Sequence, residues 1–485
     1  MAVTSDYKVL PASNFLWTSY RNGIQLDCLV LEDQYLGKLK YSDKETAQIW
    51  IDSIKARLVP KLRPGSPHAP LSHELDVAID VVQRAAYVIR SLQQILLNPA
   101  SQHPINRILE TTPHSISSSK TDNTPVTVAD FAIQALVIDS LSTAFPSDLF
   151  IAEEDSGVVR SDPAVREAVL FVLRAATGNE WSSERLYATL DKGSNTTGNR
   201  LSTPSAIITK NILKSQRVWV LDPIDGTKGF MRGEHCCTGL GLLVDGVTQL
   251  SVLGCPNLNL LRLLQGPSYD DKDIAYIDPA INISSVDTND GEETVPPVVF
   301  HPHSGSVYYA VSKQGAFARS LSMPRGAAFE VTTSAVAEGD QARLCESAEA
   351  LFGDREITAR TAEKLGVKKD YLRIDGMCKH CVVGVGAAEA TLRLPPSGYR
   401  EKIWDHVPGD HFVREAGGRV TDLNGKELDF SMVTGMNGND GADSASDNSC
   451  RELGAEVQGV VVSNGHLHDK ITETIRNIRL KLGRK

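Results

Sequence analysis

The most constraining stretch of this 485-residue chain is Val218-Trp219-Val220-Leu221-Asp222-Pro223-Ile224-Asp225-Gly226-Thr227. Four apolar residues predict a short buried strand. Two carboxylates three residues apart follow at its end, and Pro223 fixes one backbone angle between them. Gly226 and Thr227 stand where a helix can begin. Carboxylates at a strand end suit hard cations such as Mg²⁺, which prefer oxygen ligands and keep several waters. Free backbone N–H groups at a helix start attract phosphate. An Asp-x-x-Asp pair alone reads as an acidic turn. The full string behind an apolar strand is far more specific, and it points to a metal-phosphate site.

The rest of the chain narrows the classes. Hydrophobic residues make up 41% and charged residues 23%, ordinary values for a soluble globular protein. The length suits two or three domains. A net charge of −10 without a long basic block argues against a nucleic-acid polymer as partner. No apolar run reaches the length of a membrane span. The first residues lack the charged start and apolar core of a secretory signal. Eight cysteines read as reduced thiols, so the expected compartment is the cytoplasm or the nucleus. Cys378 and Cys381 form one C-x-x-C. No second pair is evident beside them, and they read as two small apolar residues one helical turn apart.

Along the chain, residues 1–70 read as an N-terminal extension of unknown role, with a helix from Asp43 to Leu58 and a proline-rich linker after it. Ser72 to Leu97 is a strong amphipathic helix. The loop Asp122-Asn123-Thr124-Pro125-Val126-Thr127 precedes a helix that carries Asp130 in its first turn, where an acid is favourable in any case. Leu149 to Ala152 is a short strand running into Glu153-Glu154-Asp155, either a cation site or a solvated acidic turn. Thr238 to Val244 and Gln249 to Cys255 predict a hairpin turning at Asp245-Gly246. Ser306 to Arg319 predicts another. In the second half, Glu346 to Phe352 and Met377 to Ala388 read as helices, Ala390 to Leu394 as a strand, and Trp404-Asp405-His406 as a helix start. Residues 266–296 and 432–450 read as polar insertions. The expected domains are 71–300, α+β, and 301–485, α/β.

These pieces together resemble the inositol monophosphatase-like superfamily of magnesium-dependent, lithium-sensitive phosphatases. Glu153-Glu154, Asp222 to Thr227, and Trp404-Asp405-His406 with Glu415-Ala416-Gly417-Gly418 occur in that family's order. Within it, Asp122 to Thr127, Lys228 to Glu234, Leu253 to Leu258 and Tyr399 to His406 are most similar to the 3′(2′),5′-bisphosphate nucleotidases of fungal and plant type. The resemblance implies an α/β fold, a layered αβαβα sandwich with the site in a cleft. It implies hydrolysis of 3′-phosphoadenosine 5′-phosphate, or its sulfated analogue, to AMP and phosphate, a reaction of sulfur assimilation. It also implies two or three Mg²⁺ ions held by Glu153, Asp222, Asp225, Asp405 and the Ile224 carbonyl. Asp122 would take the proton of the attacking water with Thr227, and Asp130 would support Thr227. Gly226 and Thr227 would hold the phosphate through their N–H groups. Lys379 and Arg393 would face the 5′-phosphate. The chain is expected to act as a monomer.

Two positions depart from that branch. After Glu346 the sequence runs Ser347-Ala348-Glu349, where Ser-Ser-His is usual, and Gly376 stands where a Ser is usual. An inositol phosphate is therefore the alternative substrate. A non-catalytic protein binding a phosphorylated metabolite is the alternative of another class.

Overall fold

The computed structural model describes residues 70–97, 125–194, 216–260, 263, 305–321, 328–348, 354–431, 452–454 and 456–483, with short strands inside 8–41 and at 117–119. The expected helix at Asp43 to Leu58, the proline-rich linker, Asp122 and the two insertions lie outside the described residues.

The apolar strand predicted at 218–221 extends over Arg217–Asp225, and its Val218 to Leu221 segment is buried throughout. It lies second in a seven-stranded sheet between Leu149–Ala152, which is parallel to it, and Cys237–Val244, which is antiparallel. Val247–Cys255, Ser306–Val311, Ala316–Ser320 and Phe329–Val331 complete the sheet as an antiparallel meander. The hairpin turn falls at Asp245 (φ 55°) and Gly246 (φ 79°). Positive angles at both central residues match the right-handed twist of the flanking strands. Pro223 is tolerated inside a central strand because the register shifts there, between Cys237 and Gly239 opposite, so no ladder donor is missing.

Two sheets and three helical layers alternate. Ser72–Leu97, Val128–Ala144 and Pro163–Thr177 cover one face of the large sheet and share one apolar core with it. Cys378–Gly384 and Val407–Glu415 lie against its other face, in a core that also takes in Cys345, Leu372, Val420 and Val462 of the second sheet. That second sheet has five strands, ordered Leu372–Arg373, Leu344–Glu346, Ala390–Arg393, Val460–Ser463, Arg419–Asp422. Arg355–Leu365 and His468–Lys481 close its outer face. This is the expected αβαβα sandwich.

Three local readings change. The large sheet runs on through Val331, past the division at 300/301, because hairpin pairing adds Ser306–Ser320 to its edge. Glu346 ends a strand, parallel to Leu372–Arg373 and to Ala390–Arg393. The apolar helix predicted to reach Ala388 stops at Gly384. Helix Ser183–Ser194 was hidden in a stretch rich in polar residues.

Candidate active site

Strand ends deliver the acids. Ala152 pairs with Leu221 in parallel register, so Glu153, just past the end of its strand, and Asp222, in the last part of the neighbouring strand, follow the same paired position. Gln134 clamps this end: its Nε2 donates to the Glu154 carbonyl at 2.6 Å, and its Oε1 accepts from Glu154 N at 2.8 Å. Asp405 arrives from a single 3₁₀ turn, Ile403–Asp405, just ahead of helix Val407–Glu415. Carboxylate oxygens of Asp222, Asp225 and Asp405 lie within 4.8 Å of one another.

Such proximity has an electrostatic cost. Burial pushes the Asp405 carboxyl up to about 6, and Asp225 adds to the rise while Arg393 opposes it. Burial raises Asp225 as well; Lys379, Arg393 and the Met377 amide pull it down, and nearby Glu153 pushes it up. The Met377 N–H donates to Asp225 Oδ2 at 2.6 Å. Clustered all-oxygen donors that repel one another are a fit site for hard divalent cations.

The predicted cations face this cluster. Lys379, Arg393, Asp225 and Asp405 line one cavity together with Ser347, Gly376, His380 and His406. Lys379 Nζ donates to Ser347 Oγ at 3.0 Å and to the Gly376 carbonyl at 2.9 Å. Arg393 donates from Nη2 to Asp405 Oδ2 at 2.5 Å and from Nε to Glu401 Oε2 at 2.8 Å. His406 Nε2 reaches the same Glu401 oxygen at 2.9 Å. Burial would raise Glu401, but Arg393 and His406 outweigh it and hold its pKa at about 2. Glu401 is thus a fixed anion that orients Arg393.

Thr227 opens helix Thr227–Met231 behind Gly226, whose φ of 90° is left-handed. Its hydroxyl donates to the Ile224 carbonyl at 3.1 Å, so two of the expected site groups engage each other. Asp130 is buried, and its Oδ2 accepts from Thr127 N at 2.8 Å and Thr127 Oγ1 at 2.6 Å. The first of these bonds belongs to the capping box of helix Val128–Ala144, the local role open to an acid at that position.

Gly376 has a physical reason. Its φ is 61°, and a Cβ there would stand 2.6 Å from the Asp225 carbonyl oxygen. A Ser at this position does not fit the present backbone.

His380 escaped the sequence reading. It is 6% exposed, and neither ring nitrogen has a hydrogen-bond partner among the described residues. Burial holds its pKa well below the ordinary histidine value, and His406, Lys379 and Arg393 add to that. A neutral imidazole with one donor and one acceptor therefore lines the cavity. Only three-dimensional placement reveals it.

The fold and the oxygen-rich centre place the chain among metal-dependent phosphatases of one family. Residues 72–479 match the inositol monophosphatase family, and the chain belongs to it. Members of that family are metal-dependent. Among curated relatives, the 3′(2′),5′-bisphosphate nucleotidase of Emericella nidulans is 34% identical over 67% of this chain and 84% of its own length. The enzyme of that name from Schizosaccharomyces pombe is 30% identical over 76% and 90%. The 3′,5′-bisphosphate nucleotidase 2 of Arabidopsis thaliana is 34% identical over 64% and 79%. No helix among the described residues is long and apolar enough to cross a membrane.

Proposed function

We propose that this protein is a Mg²⁺-dependent phosphatase that removes the 3′-phosphate of 3′-phosphoadenosine 5′-phosphate, and of its sulfated analogue, to leave AMP and inorganic phosphate. The observation that carries the reading is the opposition, in one cavity, of the Asp225 and Asp405 carboxylates and two cations, with Asp222 within 4.8 Å of both carboxylates. Asp222, Asp225, Asp405 and Glu153 would hold two or three ions, with the Ile224 carbonyl joining once Thr227 turns its hydroxyl away. Bound there, the cations supply Lewis acidity and a more acidic water for in-line displacement.

The chain's own groups do the rest. Asp122 and Thr227 would take the proton of the attacking water, and Asp130 would support Thr227. The N–H groups of Gly226 and Thr227 hold the transferred phosphate. Lys379 and Arg393 bind the second phosphate, Arg393 through the planar fork that suits it to phosphate oxygens. His380 offers the nucleotide a neutral hydrogen-bonding edge. We place the protein in the cytoplasm, acting as a monomer on a small phosphorylated molecule.

The test is phosphate release with Mg²⁺ from 3′-phosphoadenosine 5′-phosphate beside inositol 1-phosphate, with and without Li⁺. Lithium-sensitive release favouring the nucleotide is expected. Release from inositol 1-phosphate alone would mean that Gly376 and the Ser347-Ala348-Glu349 run have redirected the substrate. Nucleotide binding without turnover would favour a sensor.

A further inference from the structure

Four cysteines that this chemistry does not use converge in the layer between the two sheets. Cys237 opens one strand of the large sheet and Cys255 closes the next. Antiparallel pairing of Thr238 with Gly254 sets those two cysteines side by side. Cys378 and Cys381 face them from helix Cys378–Gly384. The sulfurs of Cys237, Cys255 and Cys378 lie within 4.8 Å of one another, and Cys381 Sγ is 3.6 Å from Cys255 Sγ. All four side chains are completely buried.

The C-x-x-C therefore has its second pair. Sequence hid it, because Cys237 and Cys255 become neighbours only through strand register. Buried cysteines often serve as small apolar residues, but packing asks for volume and not for three sulfurs clustered together with a fourth 3.6 Å from one of them. Tetrahedral zinc with four thiolates, at bonds of about 2.3 Å, sets its sulfurs about 3.8 Å apart. The 3.6 Å between Cys255 and Cys381 is close to that spacing, and the sulfurs of Cys237, Cys255 and Cys378 lie within 4.8 Å of one another.

We infer that Cys237, Cys255, Cys378 and Cys381 form a second metal site, for one soft divalent cation of the zinc class. Thiolates select such an ion over the hard cations suited to the carboxylate centre, so the two sites sort their metals by ligand chemistry. Metal-free, the cluster is four neutral thiols, since burial lifts Cys381 to about 12 and the other three well above the ordinary thiol range. Uptake breaks four S–H bonds, forms four metal–sulfur bonds and releases four protons to solvent. Binding consequently weakens as pH falls. The bound ion would staple the helix to the large sheet. That helix carries Lys379 and His380 between its two cysteine ligands, so the staple also fixes two cavity residues.

The full-length protein is reduced, loaded with Zn²⁺, desalted and assayed for metal by mass spectrometry; Co²⁺ is loaded in a parallel sample. The expected result is about one retained zinc per chain, and for Co²⁺ the intense visible and sulfur charge-transfer bands of a tetrahedral thiolate site. Cys255→Ser and Cys381→Ser should lose both signals, whereas Asp222→Asn should keep them, which separates this site from the carboxylates. Wild-type protein that retains less than about a tenth of an equivalent of zinc, and shows only the weak Co²⁺ spectrum of oxygen ligands, overturns the inference. That outcome is decisive even if the serine variants fail to fold.

Discussion

Arg393 Nη2 donates to Asp405 Oδ2 at 2.5 Å, which ties a proposed phosphate-binding cation to a proposed metal ligand. The ligand-free cleft thus partly neutralises its own acidic cluster. Cations held by the carboxylates would compete for Asp405 and free that side of Arg393 for an incoming phosphate, while Glu401 still orients it from its other side. Binding of metal and binding of the anionic substrate should therefore reinforce each other.

Arg393→Gln should raise KM for 3′-phosphoadenosine 5′-phosphate, because truncating one partner of a buried charge pair costs about 2–5 kcal/mol. The effect on inositol 1-phosphate, which has no second phosphate, should be much smaller. Steady-state kinetics on both substrates decides it, and an equal effect on the two would remove Arg393 from the 5′-phosphate site. Lys379→Ala should show the same preference.

Asp222→Asn should abolish turnover and leave the fold intact. Asp222 is 2% exposed at the end of a central strand, and asparagine keeps its shape while losing the charge that a cation needs. Loss of metal-derived charge stabilisation removes several kcal/mol from the transition state. Phosphate release and a thermal melt measure the two halves, and a folded variant with substantial activity would refute the assignment.

The carboxylate cluster of the candidate site was legible in the sequence because its acids follow elements with strong local signals. The apolar run before Asp222, the glycine after Asp225 and the helix beyond Asp405 each announce a boundary. The hairpin at Asp245-Gly246 was legible for the same reason, since its turn chemistry is local. What stayed hidden depends on long-range pairing. Nothing near Glu401 says that it will hold both Arg393 and His406. Nothing near Gly376 tells of the Asp225 carbonyl against it. Glu346 looked helical because its own neighbours are helix formers, and two parallel strands overrode that preference.

His380→Phe should keep the ring volume and remove both hydrogen-bonding nitrogens from the cavity wall. The wild-type ring nitrogens are buried and have no partner among the described residues, which leaves a desolvation penalty that a bound ligand can relieve. A hydrogen bond to a neutral partner is worth about 0.5–1.5 kcal/mol net, so KM for the nucleotide should rise a few-fold with kcat little changed. The phenylalanine variant should also melt higher, since an unsatisfied polar group has gone. An unchanged KM would assign His380 to packing alone.

Acid should weaken the fold through two buried histidines well before it protonates the ordinary carboxylates. His411 lies with Nδ1 2.9 Å from Ser251 Oγ and Nε2 3.1 Å from Ser312 Oγ, and burial, with a contribution from Arg414, lowers its pKa to about 3. His468 sits between Thr421 and Ser463 and is lowered to about 4, again chiefly by burial. Both titrate near 6.5 when unfolded. Between those values the unfolded chain binds protons that the folded chain refuses, so stability is fully present above pH 6.5 and falls as pH drops. Each such group contributes a slope of about 1.4 kcal/mol per pH unit. Asp405 works the other way between its ordinary value of 3.8 and about 6, so the histidine contribution is best read by difference. Denaturant unfolding of wild type and His411→Gln from pH 7 to pH 4 should give a variant whose stability falls less steeply by about one proton. Parallel curves would mean that His411 is already charged in the folded protein.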